Sequence, residues 1–221
     1  MKNFEIKNID CHSMFSMVTR NTQSGRSMIE MLGVLAIIGV LSVGGIAGYS
    51  KAMLKYRSNK TIEQITQIIT NVRTFFASQR NYDGSNNFII QQKAKLFPDE
   101  MYGEVEGVPT WLNAFSGEIG IAELSKTSSS VKDAFAIVLG GNIPQEACIE
   151  IATMDWRANS GNSTISLAVN ATGPEEAFNH YVNSCTTNAR VTCSADMPMS
   201  IDKAATACSS SDDNWIYIKF Y

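Results

Sequence analysis

The feature that most constrains this chain is a run of twenty uncharged residues, 31–50, between Glu30 and Lys51. The run is apolar on every face of a helix, whereas a helix on the surface of a soluble domain is apolar on one face only. Twenty helical residues rise about 30 Å, the thickness of a bilayer's hydrocarbon core. The run therefore predicts a membrane-spanning helix, and Tyr49 followed by Lys51 is typical of its interfacial end.

Two other structures share this pattern. One is the fully buried core helix of a soluble protein. The other is a secretory signal peptide, whose apolar core is only about 7–15 residues long and is followed by a cleavage site. Here the core is longer and begins late, and a helical pattern continues after it.

Composition excludes several classes of function. The chain has 221 residues and a net charge of -3, without long basic runs, so binding driven by nucleic-acid phosphates is not expected. Its two histidines, His12 and His180, leave little for a histidine-rich metal site or a catalytic triad. There is no phosphate loop and no nucleophile elbow. We expect no catalytic residue, metal or cofactor.

Glu30 is unusual, because a carboxylate at the edge of a membrane segment is costly without a partner. It is the fifth residue after Gly25, which ends a polar stretch. Gly25 and Glu30 at this spacing, directly before the apolar run, make the sequence resemble the type IV prepilins. This family includes pilus subunits and type II secretion pseudopilins. The length of the segment before Gly25 is most similar to that of the type IVb pilins.

The resemblance implies that residues 1–25 are a leader, removed after Gly25 by a membrane-embedded prepilin peptidase, and that the new N-terminus at Arg26 is methylated. Most members have Phe or Met where this chain has Arg26. The α-amino group of Arg26 would neutralise Glu30 of a neighbouring subunit, since opposite charges attract strongly at low dielectric. Glu30 would thereby set the register between subunits.

The resemblance also implies a set of partners. These are copies of the chain itself, the prepilin peptidase, the pilus assembly platform with its ATPase, and the inner membrane before assembly. The residues expected to form the filament core are Met31, Leu32, Val34, Leu35, Ile37, Ile38, Val40 and Leu41.

Downstream of the apolar run, Ile62, Ile65, Ile69, Val72 and Phe76 recur at helical spacing, and Ile68 and Phe75 widen the stripe. No proline interrupts residues 26–80, so we predict one helix of about 55 residues, or roughly 80 Å. Residues 26–50 would be its transmembrane part and 51–80 its amphipathic part. Gly44, Gly45 and Gly48 weaken the helix and favour close approach or local melting on assembly.

Residues 81–221 are expected to form a globular head. Glycines and prolines make 81–130 loop-rich, with short helical turns near 89–96. Strands are predicted at 134–139, 163–169 and 215–221, and short helices at 144–154 and 174–183. The fold class is therefore α+β, with the second half of the long helix lying across a small antiparallel sheet.

Five cysteines are present, of which Cys11 lies in the predicted leader. The other four have no Cys-x-x-Cys spacing, fit an oxidising compartment and allow three disulfide connectivities. The resemblance to type IVb pilins implies the pairs Cys148–Cys208 and Cys185–Cys193.

The expected function is a structural subunit of a type IVb-like pilus in a Gram-negative bacterium. The precursor would cross the inner membrane once with its head in the periplasm, and then join an extracellular filament used in adhesion. The alternatives are a minor pilin, a type II secretion pseudopilin, and a membrane-anchored extracellular binding domain.

Overall fold

The computed structural model describes residues 28–79, 81–125, 131–160, 164–170, 187 and 189–221. The chain forms two compact units, Met1–Ala47 and Gly48–Tyr221. The described part of the first unit is entirely helical. The second unit holds a sheet and several short helices.

The long helix α1 spans Met28–Phe76, 49 residues. One continuous helix is confirmed, and it ends four residues before the expected position, in a turn over residues 77–79. The expected first residue, Arg26, lies outside the described residues. Glu30 occupies the first turn and Arg73 the last, where each charge opposes the helix dipole.

In its described residues, the second unit contains four further α-helices and seven strands. In chain order they are α2 (Phe88–Lys93), β1 (Tyr102–Val105), β2 (Val108–Trp111), β3 (Glu118–Leu124), β4 (Ala134–Gly140), α3 (Gln145–Ala152), α4 (Trp156–Ser160), β5 (Thr164–Val169), β6 (Val191–Cys193), α5 (Ile201–Ala207) and β7 (Ile216–Phe220).

Five strands form an antiparallel sheet in the order β3-β4-β7-β5-β6, and β1 and β2 form a separate hairpin. The C-terminal strand β7 lies in the centre, so the end of the chain completes the sheet. Ile137 of β4 is opposite Ile121 of β3 and Ile218 of β7, which fixes one apolar face across three strands. The predicted α+β class, with a long helix and a small antiparallel sheet, is confirmed.

One hydrophobic core joins α1 to this face of the sheet. Ile65, Ile68 and Val72 of α1 are fully buried in the same cluster as Phe135 of β4 and Phe220 of β7. The guanidinium of Arg73 lies 5.6 Å from the centre of the Phe220 ring, which adds a cation–π contact at the end of α1.

Phe75 does not belong to the buried stripe, contrary to expectation. Its side chain is 42% exposed, whereas Phe76 is buried. The ring of Phe76 contacts that of Tyr82, which in turn contacts Phe135. The chain turns directly after Phe76, so Phe76 continues the buried stripe of Ile65, Ile68 and Val72 and Phe75 does not.

The opposite face of the sheet is also covered. Tyr217 is buried there with Val138, Ala168 and Val191 in a second, smaller cluster. Lys219 follows on the same face and is 2% exposed. Burial lowers the pKa of Lys219 to about 8. A sheet covered on both sides explains why β4 and β7 read as almost uninterrupted apolar runs.

The predicted strands and helices have mixed outcomes. Strands predicted at 134–139 and 215–221 correspond to β4 and β7, and helix 144–154 corresponds to α3. The region 81–130, expected to be loop-rich with short helical turns near 89–96, contains α2 at that place and, in addition, the short strands β1, β2 and β3, which were not predicted. The strand predicted at 163–169 corresponds to β5, except that its first residue lies outside the described residues. The predicted helix 174–183 also lies outside them.

The Cys148–Cys208 disulfide implied by the resemblance is present and joins α3 to the end of α5. It links residues 60 positions apart, and on the chain-entropy account such a bond stabilises by roughly 4 kcal/mol. Cys193 is also disulfide-bonded. Cys185 lies outside the described residues, so the Cys185–Cys193 pairing stays a prediction.

We predict that Ile68→Ala destabilises the chain by about 2–5 kcal/mol, because Ile68 is fully buried between α1 and the sheet. The matched control is Ile89→Ala, since Ile89 is 58% exposed and should change stability by less than about 0.5 kcal/mol. Urea unfolding of the full chain in detergent, followed by tryptophan fluorescence, measures both. Equal losses in the two variants would contradict the packing of α1 on the sheet.

We predict that unfolding free energy rises between about pH 8 and pH 10, because unfolded Lys219 then binds a proton that the folded state has released. Below pH 8 both states are protonated and this contribution is constant. The difference between 10.5 and about 8 is worth on the order of 3 kcal/mol at most. Lys219→Met should reduce the slope, and Lys203, whose pKa burial also lowers, accounts for part of the remainder. Urea unfolding at several pH values checks it, and an unchanged slope in the variant would assign the titration elsewhere.

Candidate functional site

The first half of α1 presents an uncovered apolar surface. Every residue from 28 to 52 is exposed. The exposed fraction of the large apolar side chains before Lys51 runs from 46% at Met31 to 86% at Met28. By length and composition, α1 is the one helix in the described part of the chain that is able to cross a membrane. The eight expected filament-core residues all lie on this surface.

Glu30 is exposed at the N-terminal end of the same surface. The helix dipole favours a carboxylate at this position in the first turn. Gly25 and Arg26, the expected cleavage and methylation positions, lie outside the described residues.

Gly44, Gly45 and Gly48 are helical, and the helix is unbroken at all three positions. A Cβ atom added at any of them would meet no atom within 4 Å. No contact within the described chain therefore requires glycine here, although each glycine weakens a helix by about 1 kcal/mol relative to alanine.

Where α1 joins the second unit, its buried face is polar before it becomes apolar. Ser58 and Thr61 are fully buried, and their hydroxyl oxygens have no hydrogen-bond partner among the described residues. Gln64 follows on the same side, and the uninterrupted isoleucine contacts begin only at Ile65. This part of α1 therefore buries polar atoms without hydrogen-bond partners among the described residues, whereas the part that follows buries isoleucine and valine.

Ion pairs hold this polar part of α1 to the rest of the unit. Lys60 Nζ lies 2.8 Å from Glu100 Oε1. This hydrogen bond raises the pKa of Lys60 and lowers that of Glu100. Lys55, one turn earlier, forms a salt bridge with Glu150 of α3.

Two open grooves flank α1 near its entry into the second unit. One, of about 400 Å³, lies between α1 and α3 and is lined by Gly48, Lys51, Ala52, Leu54, Lys55, Glu146 and Glu150. The other, of about 310 Å³, is lined by Tyr49, Ser50, Met53, Leu54, Arg57, Phe115 and Pro144. We call the first one the α1–α3 groove.

The chemistry of this region is that of an interaction surface. It offers a long apolar helix, one carboxylate at its start and mixed charges at its end. Within the described residues, no group of three or more His, Cys, Asp or Glu side chains is placed to hold a metal ion.

Sequence reasoning found the apolar helix and Glu30 but missed the α1–α3 groove. Glu146 and Glu150 lie about ninety residues after Lys51 and Lys55, and no local pattern joins them. The spacing of four residues within each pair is the available signal, because it places both members on one face of a helix.

Comparisons with known proteins agree with this architecture. The family described as "PilS N terminal" matches residues 55–219, about three quarters of the chain. Among solved structures, the chain is similar to the type IV b pilin from Salmonella typhi, with 17% identity and a TM-score of 0.46, covering 72% of this chain and 96% of that one. No curated protein gives a significant match.

The long exposed helix, the small antiparallel sheet and the disulfide-linked head define a type IV pilin-like structural protein. Since the matched region exceeds half of its length, the chain belongs to the PilS N-terminal family. The expected resemblance to the type IV pilins is confirmed by this family match.

Proposed function

We propose that this chain is a structural subunit of a type IVb-like pilus and assembles into an extracellular filament through α1. The observation that carries the proposal is the uncovered apolar surface of residues 28–50. Burying one large apolar side chain contributes about 1.5–3 kcal/mol, so eight filament-core residues contribute on the order of 15 kcal/mol. An apolar surface of this size is unstable in water. The bilayer covers it in the precursor, and other subunits cover it in the filament.

The proposed precursor has four parts: a leader at 1–25, a transmembrane and filament-core helix at 26–50, an amphipathic helix at 51–80 and a head at 81–221. It crosses the inner membrane once, with the head in the periplasm of a Gram-negative cell. A prepilin peptidase cleaves after Gly25 and Arg26 is methylated. The assembly platform and its ATPase then move the subunit into the pilus.

In the filament, Glu30 of one subunit pairs with the α-amino group of Arg26 of a neighbour. Both charges lie in an apolar environment, where leaving one partner unpaired costs several kcal/mol. This penalty selects the one stagger between helices that brings the two groups together. The exposed position of Glu30 in the first turn of α1 supports this role.

Gly44, Gly45 and Gly48 provide the proposed flexible part of the helix. They are helical in the single chain, and the absence of neighbouring atoms leaves room for another helix to approach. Local melting near them on assembly would let the filament extend.

Two other roles fit the same family. A minor pilin or type II secretion pseudopilin would keep cleavage and membrane insertion without forming the filament body. A membrane-anchored extracellular binding domain would keep residues 1–25. The two experiments that follow separate these roles.

We predict that Glu30→Ala reduces filament yield at least about tenfold, because the α-amine of Arg26 loses its partner in an apolar environment. Glu63→Ala is the matched control, since Glu63 is an exposed carboxylate of the same helix, and its yield should stay near that of the wild type. Shearing pili from cells and quantifying the subunit measures both. Normal yield from the Glu30 variant would exclude the register role.

We predict that the membrane-extracted protein begins at Arg26 when a prepilin peptidase is present. Gly25→Leu should keep residues 1–25, because the larger side chain obstructs the peptidase at the cleavage bond. Gly33→Leu, within the apolar run, should still be cleaved. N-terminal sequencing and intact mass distinguish these products, and a functional wild-type protein that begins at Met1 would favour the membrane-anchored binding domain.

A further inference from the structure

The α1–α3 groove combines an apolar floor with charges on both walls. Gly48, Ala52 and Leu54 contribute the apolar part, and one lysine pair and one glutamate pair stand on opposite helices. A Cβ at Gly48 would meet no atom within 4 Å, so the floor is open at that point. The groove is thus shaped for a ligand that is partly apolar and partly charged.

The charges of the groove are partly neutralised within the chain. Lys55 and Glu150 form a salt bridge with each other. Lys51 lies one turn before Lys55 on α1, and Glu146 one turn before Glu150 on α3, and both are exposed. Neither forms an ion pair with any residue that the structure describes. The groove therefore presents one available ammonium group and one available carboxylate, with no net charge.

This arrangement is complementary to a zwitterion. A phosphate group would accept hydrogen bonds from Lys51, and a primary ammonium group would donate to Glu146. Hydrogen bonds between two charged groups are the stronger kind. A purely anionic ligand would meet Glu146 unpaired, and a purely cationic one would meet Lys51 unpaired.

The groove also lies at the end of the uncharged run, where the headgroups of a bilayer would be. Gly48 lies within the uncharged run, which ends at Ser50, and Lys51 is the first charged residue after it. The polar headgroup region on each side of a bilayer is about 5–8 Å thick. One helical turn from Lys51 to Lys55 rises about 6 Å, so the charged part of the groove matches the depth of one layer of headgroups.

We propose that the α1–α3 groove binds the headgroup of a zwitterionic phospholipid with a primary amine, phosphatidylethanolamine, while the chain is in the membrane. Lys51 binds the phosphate, Glu146 binds the ammonium group, and an acyl chain begins along Gly48 and Ala52. The proposal depends on the proposed function only in requiring that residues 31–50 lie in a bilayer.

The test uses the full chain in nanodiscs with equal amounts of phosphatidylethanolamine, phosphatidylcholine and phosphatidylglycerol, and native mass spectrometry to identify retained lipid. The wild type should retain one phosphatidylethanolamine in preference to the other two, since it alone carries a positively charged group with N–H donors for Glu146: phosphatidylcholine has no N–H, and phosphatidylglycerol offers only neutral hydroxyls. Lys51→Ala and Glu146→Gln should each lower that retention about tenfold, the effect of losing one charged hydrogen bond. Lys93→Ala and Glu104→Gln are matched controls at exposed positions outside the groove, and they should retain as much lipid as the wild type.

Retention that is equal for the three lipids, or unchanged in both groove variants, overturns the proposal. A photo-reactive side chain at Ala52 provides a second readout in the wild-type background. An adduct with lipid supports the proposal, whereas adducts solely with another copy of the chain overturn it in favour of a protein occupant.

Failure of this proposal is distinguishable from failure of the proposed function. A chain that resists carbonate extraction and forms filaments, yet shows no lipid preference, contradicts the groove assignment alone. A chain that is not integral to the membrane contradicts the proposed function itself.

Discussion

The constraint on which the rest of the molecule depends is that half of a 49-residue helix has no cover within its own chain. Residues 28–50 are exposed throughout, although they are almost entirely apolar. No residue that the structure describes covers this surface, and the functional inferences follow from asking what does.

The second half of α1 differs from the first, because one of its faces is covered by the sheet. From Ser58 onward one face is buried, and from Ile65 onward that face is continuously apolar against β4 and β7. The central strand β7 then pairs with both β4 and β5, and the disulfide joins α3 to the end of α5. The helix thus changes from apolar all round to apolar on one side within a few turns, and the change falls where polar contacts and the two grooves lie.

Much of the fold was predictable from the sequence, because the strongest sequence signals are local. A long uncharged run, a stripe at helical spacing, and the aromatic and β-branched residues of β4 and β7 each occupy one continuous stretch. The hairpin and β3 were missed because their residues are interrupted by Gly103, Gly107, Pro109 and Gly120, which normally signal loops. These strands owe their structure to pairing with neighbours, and β3 lies at an edge of the sheet, paired with β4 alone.

The features that sequence did not predict are those that depend on distant partners. The pairing of Lys55 with Glu150 and of Lys60 with Glu100 requires knowing that α3 and residues 99–101 meet α1. The burial of Lys219 was not predictable from the sequence either. A lysine that alternates with isoleucine and phenylalanine in a strand normally indicates that its side of the strand faces solvent. Here that side is covered too, and the charge is kept there at a cost that appears in its lowered pKa.

The conclusion about family has two nearly separate supports. The motif of Gly25, Glu30 and the apolar run ends at residue 50, and the family match begins at residue 55. A chance apolar segment attached to an unrelated head would satisfy the first and not the second. The two halves of the chain therefore point to the same class of protein from different residues.

The proposed move of α1 from the membrane into a filament also gives a reason for the carboxylate of Glu30 at the start of an apolar helix. Moving such a helix from lipid to a bundle of other apolar helices changes its surroundings little, because lipid tails are as apolar as leucine. Hydrophobic burial alone then gives neither a driving force for leaving the membrane nor a defined stagger between neighbours. In the proposed filament, a charge that is costly when unpaired and satisfied at one position only would supply the specificity that the apolar surface lacks, and small residues along the same helix would supply close packing once that position is reached.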